Sequence, residues 1–381
     1  MYGLELFSSG SLFRTKRSAP TMNLIEIANH RFIHQQLADS KFTTAKELVS
    51  WMGALQAQDF QMSKMAVGLR VKNATEKSIE SALLAGEIIR MHLLRPTWHL
   101  VSAEDVTWML ALSATHIQSA MRARDRELEL TTSVFNKSNA ILENSLRDGN
   151  HLSRQELIIK LKDAGIAVDN NRASHLLMHA ESEAIICSGK FIANQLSYAI
   201  LSERVPLKKK FEQEEALAEL ANRYFTSHGP ATLADFTWWS GLSVSKSRIG
   251  LEMVRKELEF IALDGKTYWF RGVSIPKIDS ELVHLLPAYD EFIISYTDRN
   301  ASLGKEINSK AVSTNGLFRP VLVQNGRVIG TWKRESLKEK IRITTHLFAD
   351  TNQNLEQKIS LALKHYAYFL NKQIEQGAFP V

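Results

Sequence analysis

The stretch from Ala231 to Phe270, ATLADFTWWSGLSVSKSRIGLEMVRKELEFIALDGKTYWF, decides how the rest of the chain is read. Thr232 followed three residues later by Asp235 makes a capping box, which starts a short helix through Trp238 and Trp239. Ser243 caps a longer helix running to Leu258. Leu258–Leu263 and Lys266–Phe270 then flank Asp264-Gly265, a dipeptide suited to a two-residue hairpin because both central residues can take positive φ. Upstream, Glu215–Ser227 has helical spacing and stops at Gly229-Pro230. Three short helices followed by a hairpin form a winged-helix pattern. Its third helix can enter a major groove, and its hairpin can reach the backbone or the minor groove.

The same order occurs twice earlier, with little identity between the copies. In the first, Ile25, Ala28 and Phe32 share helical spacing, and Thr44 with Glu47 caps a helix lined by Leu48, Met52 and Leu55. A further helix fits Thr75–Ala85. Ile88–Leu94 and Thr97–Val101 then read as a hairpin turning at Arg95-Pro96, and Ser102 with Asp105 opens the next helical stretch. In the second, Ser153 with Glu156 caps a helix ended by Gly165, and another fits Arg172–Glu183. Ala184–Cys187 and Phe191–Ala193 flank Ser188-Gly189-Lys190, which reads as the turn. Residues 103–147 read as wholly helical, and Val205-Pro206 with Lys208-Lys209-Lys210 reads as a linker. Beyond residue 275, Leu282–Leu286, Phe292–Tyr296, Val321–Gln324 and Arg327–Thr331 read as strands, with Asn325-Gly326 a hairpin turn and Leu355–Gln373 a final helix. The expected fold class is α+β, tandem winged-helix modules with a C-terminal mixed β domain. The expected divisions are residues 1–22 as a disordered tail or misassigned start, 23–147, 148–205 and 206–275 as winged helices, and 276–381 as the β domain.

Composition sets the outer limits. The 381 residues are 44% hydrophobic and 23% charged, an ordinary balance for a chain that can bury a core without disulfides or metals. A lone cysteine, Cys187, cannot make an internal disulfide, which fits a reducing, cytoplasmic setting. No apolar run approaches the ~20 residues a spanning helix needs, so no membrane partner is expected. The net charge of +6 mildly favours an anionic partner such as nucleic acid.

Few residues suggest chemistry. In Gly53-Ala54-Leu55-Gln56-Ala57-Gln58-Asp59-Phe60, two glutamines stand at i and i+2. On extended backbone their side chains point the same way, and two neutral amides can fix a water molecule by donating and accepting hydrogen bonds. They can equally be ordinary polar residues at a helix end, and spacing alone favours that reading. The following hairpin carries Arg90, His92, Arg95 and His99 beside Trp98. Arg90 and His92 would share one face while Met91 and Leu93 point to the core, giving either a basic wing for phosphate or a solvated strand face. His30/His34 and His175/His179 have i,i+4 spacing. However, Arg31 and Leu176 follow the first histidine where zinc proteases carry glutamate, so no metal is expected. Asp290-Glu291 could be imagined as an acid/base pair, but adjacent carboxylates on a strand face opposite ways, so a solvent-exposed or salt-bridging role suits them better. No P-loop, dinucleotide-binding glycine pattern, nucleophile elbow or zinc-binding cysteine set is present.

Taken as strings, these residues resemble the winged-helix DNA glycosylase family typified by AlkZ and YcaQ. Gly53 to Asp59, Ala66-Val67-Gly68-Leu69-Arg70 and Arg95 to Val101 carry the likeness. So do His228 to Thr232 with Asp235, Trp239-Ser240-Gly241-Leu242, Leu286 to Glu291, Asn315 to Pro320 and Gly330-Thr331-Trp332. The likeness runs from about residue 23 to 370. It implies tandem winged helices around a DNA channel closed by a β domain. It also implies that Gln56 and Gln58 are the catalytic pair of the two-glutamine branch, which removes N7-alkylated purines and unhooks alkyl crosslinks. The hairpin from Arg90 to His99 stands where that family probes the minor groove. A monofunctional DNA glycosylase is implied, acting on lesion-containing double-stranded DNA as a monomer, with no metal or organic cofactor. Asp59 is expected to cap a helix rather than join the chemistry. On the residues themselves, a non-catalytic winged-helix DNA-binding regulator or architectural protein remains open, as does a scaffold for protein partners.

Overall fold

The computed structural model describes residues 22–205, 210–272, 282–338, 340–350 and 352–377. The tail expected before Met22, and Pro206, Lys208 and Lys209 of the expected linker, lie outside the described residues. Each hairpin follows a run of helices. First come α1 (Leu24–His34), α2 (Ala45–Met52), a short strand β1 (Ala54–Gln56), α3 (Phe60–Gly68), α4 (Glu76–Ala85), and the hairpin β2 (Ile88–Leu93) and β3 (Arg95–Ser102). Two long helices, α5 (Val106–Glu127) and α6 (Thr132–Leu146), lead to α7 (Arg154–Asp163), α8 (Arg172–Ser182), β4 (Ile186–Ile192), β5 (Gln195–Ile200) and α9 (Leu201–Arg204). Then come α10 (Gln213–Ser227), α11 (Leu233–Ser240), α12 (Val244–Val254) and the hairpin β6 (Glu259–Leu263) and β7 (Lys266–Phe270). The C-terminal region holds β8 (Val283–Leu286), α13 (Glu291–Ile294), α14 (Asn308–Ala311), β9 (Val321–Gln324), β10 (Arg327–Ser336), β11 (Lys340–Leu347), α15 (Gln353–Leu370) and β12 (Gln373–Gln376). Its five strands run in the order β12-β11-β10-β9-β8, antiparallel except for the β11–β12 pair.

The local signals mostly act as expected. Thr44/Glu47, Ser153/Glu156 and Thr232/Asp235 all form reciprocal capping boxes. Asp264-Gly265 and Asn325-Gly326 turn their hairpins with positive φ at both residues. Several expectations need correction. The helix through Leu55 stops at Met52, because Gly53 takes φ +78 and sends Ala54–Gln56 into a strand. The first hairpin turns at Leu94 (φ 58), not Arg95-Pro96, and a register shift beside His92 absorbs the tightness. Ser102 belongs to β3 and does not cap α5. Ser188-Gly189-Lys190 lies inside β4, and the turn falls at Ala193-Asn194. Gly189 serves close packing instead: a Cβ there would lie 2.5 Å from both His151 Nδ1 and Ser197 Oγ. Phe292–Tyr296, expected as a strand, starts as helix α13, because Asp290 caps it through Phe292 N–H. Strands β11 and β12 were not expected at all.

Three apolar clusters position the functional elements. One packs α2, α3 and α4 (Leu48, Met52, Val67, Leu83) against the C-terminal sheet and α15 (Trp332, Ile343, Leu363, Phe369). A second joins the outer face of β2 (Ile89, Met91, Leu93) to α5 and to Leu217, Tyr224 and Trp239 of the third helix–hairpin unit. A third unites α6, α7 and α8 with β4 and β5. Helix α1 packs away from its neighbours in sequence: Ile27 and Ala28 meet Ile261, Tyr268 and Phe270, and Phe32 meets Leu286 and Phe292. Among the described residues, no helix is long and apolar enough to cross a membrane.

Candidate active site

The site is built on β1. Once Gly53 has turned the chain, Ala54, Leu55 and Gln56 pair antiparallel with Val101, Leu100 and His99 of β3. Ala57 N–H continues the ladder to Trp98 O at 2.7 Å. Gln56 is therefore a strand residue, whereas Gln58 sits at a bend directly before the residue that caps α3. Asp59 ends it by capping α3, accepting from Met62 N–H at 3.0 Å as expected.

The two glutamines lie at different depths. Gln56 is only 7% exposed: its Oε1 accepts from Arg95 Nη2 at 2.7 Å, and its main-chain N–H donates to Glu291 Oε1 at 2.6 Å. Gln58 is exposed and lines a cleft of about 620 Å³ between the first hairpin and the α7–β5 unit. Phe60, Gln61, Arg90, His92, Trp98, Arg154, Asn194, Gln195 and Tyr198 are among the other residues lining it, so cations, aromatic rings and neutral amides surround Gln58.

The hairpin's basic residues turn inward rather than forming a free basic wing. Arg90 donates through Nε and Nη2 to Ala57 O at 3.1 and 2.9 Å, with its guanidinium 4.1 Å above the Trp98 ring. Burial brings its pKa down to about 10. His92 shares that face, as expected. It is buried, with Nδ1 2.6 Å from Glu181 Oε2, which also accepts the His92 main-chain N–H. Its ring lies 4.0 Å from that of Trp98. Arg95 and His99 stand on the Gln56 side. Arg95 Nη1 donates to the Trp239 carbonyl, and Nη2 is 3.4 Å from His99 Nε2. His99 is fully buried, and burial followed by the Arg95 charge lowers its pKa to about 3, so the ring is neutral at physiological pH. The Thr97 carbonyl, 2.9 Å from Nδ1, places the proton there and leaves Nε2 as the acceptor.

Sequence reasoning missed the group beneath Gln56. Glu291 is 1% exposed, where a solvent-exposed role had been one expectation. Its Oε2 accepts from Trp239 Nε1 at 3.2 Å and from the Ser295 hydroxyl, and His228 Nε2 lies 3.7 Å away. Burial alone would raise its pKa, but His228, Arg95 and Ser295 outweigh burial and hold it down at about 2. The neighbouring Asp290 takes the salt-bridging role, bound by Arg70 Nη2 and Nη1 at 2.7 and 2.9 Å with both side chains buried. The sequence signal for it is the Leu286–Glu291 string, which by itself points to no partner. His34 Nδ1 contacts the Gly229 carbonyl at 2.8 Å, and His175 Nδ1 contacts Asp125 Oδ1 at 2.6 Å. Among the described residues, no group of three His, Cys, Asp or Glu side chains is arranged to hold a metal ion.

The AlkZ-like DNA glycosylase family matches residues 49–369, and the chain belongs to that family. It is a DNA glycosylase, an enzyme that cuts the bond between base and sugar. Among its relatives, an interstrand DNA cross-link repair glycosylase of Streptomyces sahachiroi is 21% identical over 339 residues, 85% of this chain and 90% of that protein. The solved structure of the Streptomyces sahachiroi DNA glycosylase AlkZ superposes with a TM-score of 0.77 at 19% identity, over 94% of this chain and all of that one.

Proposed function

We propose that the protein hydrolyses the N-glycosidic bond of N7-alkylated purines in double-stranded DNA, with Gln56 and Gln58 placing the water. Alkylation at N7 leaves the purine cationic, so the base departs neutral with the bonding electrons and leaves an oxocarbenium-like sugar. Such a reaction needs its water placed more than deprotonated, and neutral amides suit that task. The observation that carries this reading is the position of Gln58. It opens onto a cleft large enough for a nucleotide, beside Arg90, Trp98 and Arg154, while Gln56 is pinned two residues earlier, at the end of β1. The relative named for interstrand cross-link repair supports unhooking of crosslinks as the same chemistry on a bulkier adduct.

The three helix–hairpin units are proposed as winged helices over residues 23–147, 148–205 and 206–275, with 276–381 the C-terminal β domain. Arg90 and His92 line the cleft and are proposed to face the DNA there, whereas Arg95 and His99 act within the protein on Gln56. The enzyme is proposed to act as a cytoplasmic monomer without cofactor and without a lyase step. Incubation with duplex DNA carrying 7-methylguanine, followed by counting of alkali-labile abasic sites, tests this reading. Release by the wild-type protein, lowered in Gln56→Ala and Gln58→Ala with DNA binding retained, is expected. Lesion-indifferent binding without release would instead make the protein a non-catalytic DNA binder.

A further inference from the structure

Gln56 is held at two points by groups that water placement does not itself require. Glu291 Oε1 accepts its main-chain N–H at 2.6 Å, and Arg95 Nη2 donates to its side-chain oxygen at 2.7 Å. A guanidinium has no acceptor, so the amide must turn its oxygen to Arg95 and its NH2 elsewhere. The two groups that hold it are themselves fixed. Arg95 donates to the Trp239 carbonyl and meets an acceptor-only Nε2 on His99; Glu291 accepts from Trp239 Nε1 and the Ser295 hydroxyl.

We propose that Arg95 and Glu291 are positioning residues that make Gln56 a hydrogen-bond donor to the reacting water and leave Gln58 as its acceptor. This rests on the assignment of the two glutamines above. A water held by one N–H on a lone pair and by one carbonyl on a hydrogen keeps a single lone pair free, and its direction is set. Gln58, exposed and with no hydrogen-bond partner among the described residues, can supply that carbonyl; Gln56, with its oxygen engaged, supplies the N–H. Glu291 reaches β1 from the C-terminal region, and Arg95 links it to α11. The orientation of one amide therefore depends on contacts far apart in sequence.

A double-mutant cycle on single-turnover release of 7-methylguanine tests the proposal. Arg95→Ala is expected to lower the rate constant about 100-fold, the cost of a misplaced reactive group, with DNA affinity unchanged. The same change in a Gln56→Ala background is expected to cost nothing further. Guanidinium ion added to Arg95→Ala should restore part of the lost rate, and should not help Arg95→Ala/Gln56→Ala. Arg95→Lys, which keeps a donor, should lose less. Gln56→Glu, which keeps an oxygen for Arg95 but replaces the NH2, should be as slow as Gln56→Ala. Independent, multiplicative losses, or an Arg95→Ala enzyme at full rate, overturn the positioning role while leaving the glutamine assignment intact. A full-rate Gln56→Ala enzyme overturns both.

Discussion

Asp290→Ala removes the partner of a fully buried cation, and the structure sets the size of the loss. Arg70 is 0% exposed and sends two nitrogens to Asp290, with its remaining donors on Gln35 O, Gln35 Oε1 and Ala66 O. Removing one side of such a pair costs about 3–5 kcal/mol, because the other charge stays buried without compensation. Asp290 also caps α13 through Phe292 N–H, worth about 1 kcal/mol more. At about 2–4 °C per kcal/mol for a large cooperative unit, the melting temperature should fall by roughly 10 °C or more. Replacing both partners, as Arg70→Met/Asp290→Leu, should recover most of that, because no charge is then stranded. Thermal and urea unfolding followed by circular dichroism measures both variants. An Asp290→Ala protein that melts with the wild type, or a double variant less stable than Asp290→Ala, would refute the reasoning.

Gly189→Ala should destabilise the α7–β5 unit by about 1–3 kcal/mol, because the new methyl overlaps His151 and Ser197; urea unfolding measures it. His99 and His30, lowered by burial to about 3 and about 4, are neutral when folded but take up protons when unfolded below pH 6.5. More protons are then bound by the unfolded chain, so stability should fall as pH drops from 6.5 toward 4; with His284, which burial also lowers to about 4, these rings account for about three of the protons taken up per molecule unfolded near pH 5. Calorimetry in buffers of different ionisation enthalpy counts them, and stability flat across that window would contradict their burial as neutral rings.

Much of this architecture could be read from local chemistry. Thr232/Asp235 and Asp264-Gly265 mark their helix start and turn because a cap and a type I′ turn are decided within a few residues. The errors came where a residue answers to something distant. Gly53 breaks a helix that its sequence neighbours would continue, and its Cβ position faces Trp239 at 3.2 Å. Gly189 looked like a turn glycine but accommodates side chains from elsewhere in its unit. The strand-like Phe292–Tyr296 differs, because its helix start is decided locally by the cap that Asp290 provides to Phe292 N–H. For the site, Gln56 and Gln58 stand out in the sequence as a pair, but only Gln56 lies in the strand, across from His99, while Gln58 follows it at a bend and lines the cleft. Their unequal depth was not legible. It is imposed by Arg95 and by Glu291, which lies 235 positions away and gives no local sign of reaching β1.

The most direct test of the account is the single-turnover rate of 7-methylguanine release by Gln58→Ala, measured with its affinity for the same duplex. Loss of excision with binding unchanged is predicted. Excision at the wild-type rate would show that the cleft-facing amide takes no part in placing the water, and the assignment of the chemistry to this segment would be wrong.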